Sequence, residues 1–292
     1  MFEVIGHNKF KTNVIIFFFF CLLALVIYFF CEYFSFGYMG VPIAVIIALI
    51  STYVSYYFSD KIVLTISRAR PANDEEDKMV TNSVEGLCIA AGLPLPKVYI
   101  IDDSAPNAFA TGRDPDHSVV CVTTGLLDKL DSYELEAVLA HELGHIKNYD
   151  ILLSTIATIM VGIITLLADW FFRIGFRSRS NSRNNISIII GIIGVIFMIF
   201  SPLIAQLMQL ALSRNREYLA DATSVELTRN PDALIRALER ISADTEPLEA
   251  ANKATANMYI VTPFKDNRKK IASWFSTHPA IEDRVQAIKD IH

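Results

Sequence analysis

The sequence predicts a mainly α-helical membrane protein, with four hydrophobic helices and two polar segments that together form a cytosolic domain containing a small antiparallel sheet. Three observations predict it. Apolar residues make up 52% of the 292 and charged residues 20%, both on the apolar side of the roughly 45–50% and about 25% of soluble domains. The apolar excess is gathered into four blocks, while the polar remainder carries ordinary helical and β-branched patterns. A formal net charge of −5 argues against a nucleic-acid partner held through its phosphates.

Val14–Cys31 runs 18 residues without a charge, and Tyr38–Phe58 runs another 21 interrupted only by Pro42 and a few hydroxyls. Each approaches the roughly 20 residues that cross a bilayer as a helix. The first lacks a small-residue cleavage site and is followed at once by the second, so residues 1–58 read as a retained transmembrane pair. Ile151–Ala168 is a third block, and Ile186–Leu212 a fourth whose end carries Pro202, Gln206 and Gln209; residues 151–212 read as a second hydrophobic pair. Lys9 and Lys11 precede the first span, and Lys61, Arg68 and Arg70 follow the second, which places both flanks in the cytosol. Arg173, Arg177, Arg179 and Arg183 between the third and fourth blocks run against that rule if both blocks cross, so full crossing of this pair stays open. Four scattered cysteines with no C-x-x-C pair suit a reducing compartment.

Residues 59–150 form the first polar segment. Asn73 or Asp74 caps a helix with an acidic first turn and apolar positions Val80, Val84, Leu87 and Cys88, ending at Gly92. Lys97–Ile101 and Ser118–Thr123 are β-branched runs, read as strands of the antiparallel sheet, joined by a loop with Pro106, Gly112 and Pro115. Asp131 with Glu134 forms a capping box that opens the next helix. Residues 213–292, the second polar segment, are helical in pattern and punctuated by Pro231, Pro247, Pro263 and Pro279.

The helix after Asp131 contains His141-Glu142-Leu143-Gly144-His145, an H-E-x-x-H sequence. Positions i and i+4 share one helix face, so both imidazoles can converge on one zinc ion. Glu142 points roughly 100° around the axis; it is a poor third ligand but is placed to act as general base toward a water on the metal. The extended pattern with a third histidine is absent, because Asn148 and Ile151 occupy those positions, so the third ligand must come from a distant segment. Glu217 and Asp221, spaced i and i+4 beyond the fourth block, are the best candidates: Glu217 as ligand and Asp221 as a partner orienting a histidine. A solvated acidic helix face is the plain alternative. His145 lies six residues before the third block and Glu217 five after the fourth, so an even number of crossings, or none, returns both to one side of the membrane.

HELGH, then SRNREYLADA (213–222), with NAFATG (107–112) and STHP (276–279), resembles the HtpX branch of the membrane-bound zinc endopeptidases, relatives of the CAAX-prenyl endopeptidases. The resemblance implies a zincin-like catalytic domain holding one zinc per chain through His141, His145 and Glu217, with Glu142 as catalytic acid and base. It also implies a multi-pass protein of the bacterial plasma (inner) membrane with its active site facing the cytoplasm. The implied role is proteolytic quality control, with misfolded or damaged membrane proteins and unfolded polypeptides as substrates. Asn107–Gly112 resembles a sheet edge to which an extended substrate adds as a strand, with a plain turn as the alternative. His278 is a candidate for the oxyanion or for substrate positioning, with a cap or packing role as the alternative.

Two rival classes remain. A non-catalytic membrane adaptor keeping the same fold has no need of Glu142. A small-molecule transporter calls for ionisable residues inside the spans, which the four blocks nearly lack.

Overall fold

The computed structural model describes residues 2–33, 36–178, 214–251, 255–261, 263 and 279–291. Two long helices open the chain, α1 (Phe2–Tyr33) and α2 (Gly40–Tyr57). Within them Asn8–Tyr28 and Gly37–Tyr57 are each long and apolar enough to cross a membrane. Phe17, Phe18, Ile46, Leu49 and Ile50 are exposed on them, as helices solvated by lipid require. Pro42 sits in the first turn of α2, where its missing N–H costs nothing. A short helix, α3 (Ser59–Ile66), leads out of the pair.

The polar domain follows. Asn73 closes a capping box with Glu76 at the start of α4 (Asp74–Ala91), and Gly92 ends that helix at φ +69°, a left-handed conformation that glycine adopts without a Cβ penalty. The strands are β1 (Arg70–Pro71), β2 (Lys97–Ile101), β3 (Ala108–Gly112) and β4 (Ser118–Thr123), ordered β1-β2-β4-β3. The expected antiparallel sheet is instead mixed: β2 and β4 pair in parallel, with Val98 opposite Val120, while β3 and β4 pair antiparallel. The physical reason lies in the connection. The 16 residues from Asp102 to His117 are long enough for the crossover that parallel strands need, and they contain β3, which takes the outer edge.

Both faces of this sheet are covered, which explains the unbroken apolar run of β4. Val98, Ile100, Ala110, Val120 and Val122 join the core formed with α4 and with α6 (Ser132–Lys147), the helix opened by the Asp131–Glu134 capping box. Ile101, Phe109, Val119 and Cys121 face the other way, onto Val63 and Leu64 of α3 and onto Leu248, Met258 and Tyr259. A short α5 (Thr124–Lys129) connects β4 to α6.

After Asn148 and Tyr149 the chain bends by 84° into α7 (Asp150–Ser178), which carries the third apolar block. Leu152, Ile156 and Met160 of α7 pack with Phe19 and Leu23 of α1 and Ala48 of α2. The described residues thus hold two helices of spanning length, or three spans if the bent α6–α7 pair is one; the fourth block, Ile186–Leu212, lies outside them. The chain resumes in α8 (Asn215–Thr228), α9 (Pro231–Ala243) and α10 (Ile281–Lys289).

Candidate metal centre

Helices α6 and α8 lie side by side, and the contact is made at Gly144. A Cβ built there would stand 3.1 Å from the Ala220 Cα and 3.2 Å from the Thr223 Cβ. Glycine therefore lets the backbones close up, and the Ser224 hydroxyl donates across the gap to the Ala137 carbonyl at 2.7 Å.

This close approach brings His141, His145 and Glu217 together, with one potential ligand atom from each lying within 4.8 Å of the others. The two Nε2 atoms are 3.2 Å apart, and the Glu217 oxygens stand 3.8 Å from that of His141 and 3.7 Å from that of His145. Each imidazole is held from behind by a carboxylate. Asp221 Oδ1 lies 2.9 Å from His141 Nδ1, and Asp150 Oδ2 lies 3.2 Å from His145 Nδ1. With each Nδ1 donating to its carboxylate, the Nε2 lone pairs and the Glu217 oxygens face one point that calls for positive charge.

Electrostatics agree. Burial alone would lower the pKa of His145, but the hydrogen bond to Asp150 and the charges of Glu217, Asp150 and Glu142 outweigh it and raise the value to about 9. His141 is held below its ordinary value, chiefly by burial. Two nitrogens and a carboxylate oxygen form the mixed N/O donor set that suits zinc. The chain's residues therefore fit a divalent cation.

Glu142 is 1% exposed, and burial, with the nearby Glu217 charge, raises its carboxyl pKa to about 7. The Ala110 backbone N–H of β3 faces it and favours the charged form, while Oε1 has no partner among the described residues. A carboxylate poised near neutrality beside a cation site is suited to taking and returning a proton.

Two partners of this centre escaped the sequence reading. Arg284 of α10 is fully buried, donating Nε to Asp221 Oδ2 at 2.8 Å, Nη2 to Asp221 Oδ1 at 2.6 Å, and Nη1 to the Ile260 carbonyl at 2.9 Å. Its charge counters burial and keeps the Asp221 carboxyl below the ordinary carboxylate range. Asp150 is the other; its only sequence signal is a charge at the mouth of an apolar block.

Asn107 lies elsewhere. Its Nδ2 donates to the Val261 carbonyl at 3.0 Å and its Oδ1 accepts from the Ala108 N–H at 3.1 Å, bracing the 255–261 loop against β3. The Ile260 N–H donates to the Ala108 carbonyl at 3.0 Å, and the Gly112 N–H reaches Thr155 Oγ1 at 3.4 Å. Both ends of the β3 outer edge are thus engaged, with Ala110 between them. His278 lies outside the described residues.

A chain with helices long enough for a bilayer and an H-E-x-x-H helix completed by a carboxylate from a second helix has the build of a membrane metallopeptidase. Residues 74–292 match Peptidase family M48, and the chain belongs to that family. It is 47% identical to the Protease HtpX homolog of Dictyoglomus turgidum, over 99% of this chain and 94% of that protein. It is 42% identical to the homolog of Caldanaerobacter subterraneus subsp. tengcongensis, over 100% and 98%, and 42% identical to that of Listeria monocytogenes, over the full length of both. The crystal structure of S. mikatae Ste24p is similar in fold, with a TM-score of 0.51 at 20% identity, covering 99% of this chain and 67% of that one. The protein is a membrane-bound metalloprotease, a hydrolase that uses a metal cofactor, and the non-catalytic adaptor is not favoured.

Proposed function

We propose that the protein is a zinc endopeptidase that cuts misfolded or damaged membrane proteins and unfolded polypeptides as part of protein quality control. One zinc per chain is held by His141, His145 and Glu217. The observation that carries this reading is the convergence of those three side chains from two helices beside the buried carboxylate of Glu142.

Zinc held there would supply Lewis acidity, polarising the scissile carbonyl and making water at the site easier to deprotonate. Glu142 accepts the proton of the attacking water and delivers it to the leaving amine. Asp221 and Asp150 keep the two imidazoles turned to the metal, and Arg284 holds Asp221. The Ala110 segment of β3 is the stretch of sheet edge beside Glu142 where an extended substrate can pair, and Asn107 serves it by fixing the neighbouring loop. The role suggested for His278 is stabilising the oxyanion.

In this reading the chain is organised as a transmembrane pair (1–58), a first catalytic segment (59–150), a second hydrophobic pair (151–212) and a second catalytic segment (213–292). It is a multi-pass protein of the bacterial inner membrane with its site on the cytoplasmic side, as the cations flanking the first two spans direct. The name its relatives carry, Protease HtpX homolog, and the likeness in fold to Ste24p support the reading.

The test compares purified wild type with Glu142→Gln, reconstituted in liposomes, on unfolded casein and on an unfolded membrane protein. The wild type cleaves both, and the variant loses activity by roughly 10²–10⁴-fold while keeping its metal. Equal cleavage by the two proteins would overturn the assignment. A cysteine placed at the exposed Glu75 is expected to react with an impermeant thiol reagent in inverted vesicles and to be protected in intact cells. Labelling in intact cells would refute the cytoplasmic orientation.

A further inference from the structure

The elbow between α6 and α7 is held by the first membrane helix. Asn8 is 4% exposed at the start of the first span, and its Nδ2 donates to the Asn148 carbonyl at 3.0 Å and to Asp150 Oδ1 at 2.8 Å. Both amide hydrogens are therefore used across 140 residues of sequence or more. The Asn8 carbonyl in turn accepts from the buried Thr12 hydroxyl at 2.9 Å. One residue further on, the Lys9 ammonium stands 4.0 Å from the centre of the Tyr149 ring. Tyr149 has φ +59°, a left-handed conformation that a residue with a Cβ holds only when its surroundings impose it.

The carboxylate that Asn8 grips on one oxygen grips His145 with the other, since Asp150 Oδ2 lies 3.2 Å from His145 Nδ1. Asp150 is 1% exposed; the other cation near it is Arg216, whose Nη1 lies 3.6 Å from Oδ1. A buried carboxylate with two defined donors has one orientation, and a histidine bonded to it has one ring plane. We infer that Asn8 is a positioning residue for the metal centre, acting through Asp150 to fix the His145 imidazole, so that seating the first membrane span against the elbow completes the ligand set. The inference rests on the reading that His145 holds a metal.

The experiment measures zinc affinity of the full-length, detergent-solubilised protein by competition with a chromogenic chelator. The proteins are wild type, Asn8→Ala, Asp150→Asn, and the two changes combined. Thermal unfolding with chelator present reports the metal-free fold separately. Asp150→Asn is expected to weaken zinc binding by about 10–100-fold and Asn8→Ala by about 3–10-fold, as partners behind a ligand typically do. In the Asp150→Asn background, Asn8→Ala is expected to change affinity no further, because the link it acts through is already gone. A purely structural staple would lower the unfolding temperature in both backgrounds and leave affinity alone. Asn8→Ser, whose hydroxyl is too short to reach Asp150 but can bond the backbone of its own helix, serves if Asn8→Ala does not fold and is expected to lose as much affinity as Asn8→Ala does.

Unchanged affinity in a folded Asn8 variant, or equal losses from Asn8→Ala in both backgrounds, would overturn the inference. Absence of zinc binding by the wild type would instead overturn the metal-centre reading beneath it.

Discussion

Replacing Arg284 by alanine tests whether the C-terminal helix is part of the metal centre. Its guanidinium is fully buried and makes two short bonds to Asp221 and one to the Ile260 carbonyl. Asp221 is 1% exposed, so Arg284→Ala leaves a buried carboxylate whose remaining side-chain partner among the described residues is the His141 imidazole. Breaking a buried pair on one side costs about 3–5 kcal/mol, and the orphaned Ile260 carbonyl falls within that range rather than adding to it. At about 2–4 °C per kcal/mol for a chain of this size, the metal-free unfolding temperature drops by roughly 6–20 °C. Removing both charges with Arg284→Met and Asp221→Asn together should recover part of the loss, because position 221 then holds no unpaired charge, while Glu217, 3.7 Å from the guanidinium, still loses that cation. Differential scanning fluorimetry in detergent with chelator present reads both effects. An Arg284→Ala protein that unfolds within about 2 °C of wild type, or a double variant that loses as much as the single, would refute the reasoning.

Three further outcomes follow from the same geometry. Gly144→Val pushes α6 from α8 at the point where a Cβ already meets Ala220 and Thr223, so zinc affinity falls at least about tenfold and stability by about 1–3 kcal/mol, read by chelator competition and thermal unfolding. Removing the metal with a strong chelator abolishes casein hydrolysis, and zinc restores it; full activity after metal removal would contradict the site. Arg70, bonded to Glu76 and Asp102 at 2.7 Å each, holds both carboxyls below their ordinary values, so its contribution is present above pH about 4.5 and is lost as pH falls through the lower folded values. The gap in unfolding temperature between wild type and Arg70→Ala should be small, worth at most about 1 kcal/mol, and should close in acid.

Local patterns were legible where the signal was local. The Asn73 and Asp131 caps, the end of the helix at Gly92 and the two N-terminal helices of spanning length depend on residues a few positions apart, and the sequence locates them. Strand direction depends on what fills the connection: with Ala108–Gly112, the stretch that resembles a sheet edge, paired to β4 as a strand of its own, Lys97–Ile101 runs parallel to Ser118–Thr123 instead of antiparallel. His141 and His145 share one helix face, with Glu142 about 100° around the axis, and the three could be recognised from spacing alone. Spacing pairs Glu217 with Asp221 but does not fix their distance from His145, which the approach of α8 to α6 sets.

Asp150, Arg284 and Asn8 could not be read this way. Arg284 and Asn8 gain their roles from segments far away in sequence, while Asp150 lies only five residues from His145 but meets it across the bend between α6 and α7, where no periodicity marks the contact. Gly144 is intermediate, since a glycine inside a helix is conspicuous, but its reason, the approach of Ala220, belongs to the packing.

In the proposed centre, two helices of this chain share one zinc ion through His141, His145 and Glu217. Metal content by mass spectrometry on purified wild type, Glu142→Gln and Glu217→Ala tests it most directly. About one zinc per chain is expected in the first two proteins, as a three-ligand catalytic site requires, and a large loss in the third. Wild-type zinc in Glu217→Ala, or zinc lost from Glu142→Gln as well, would contradict it.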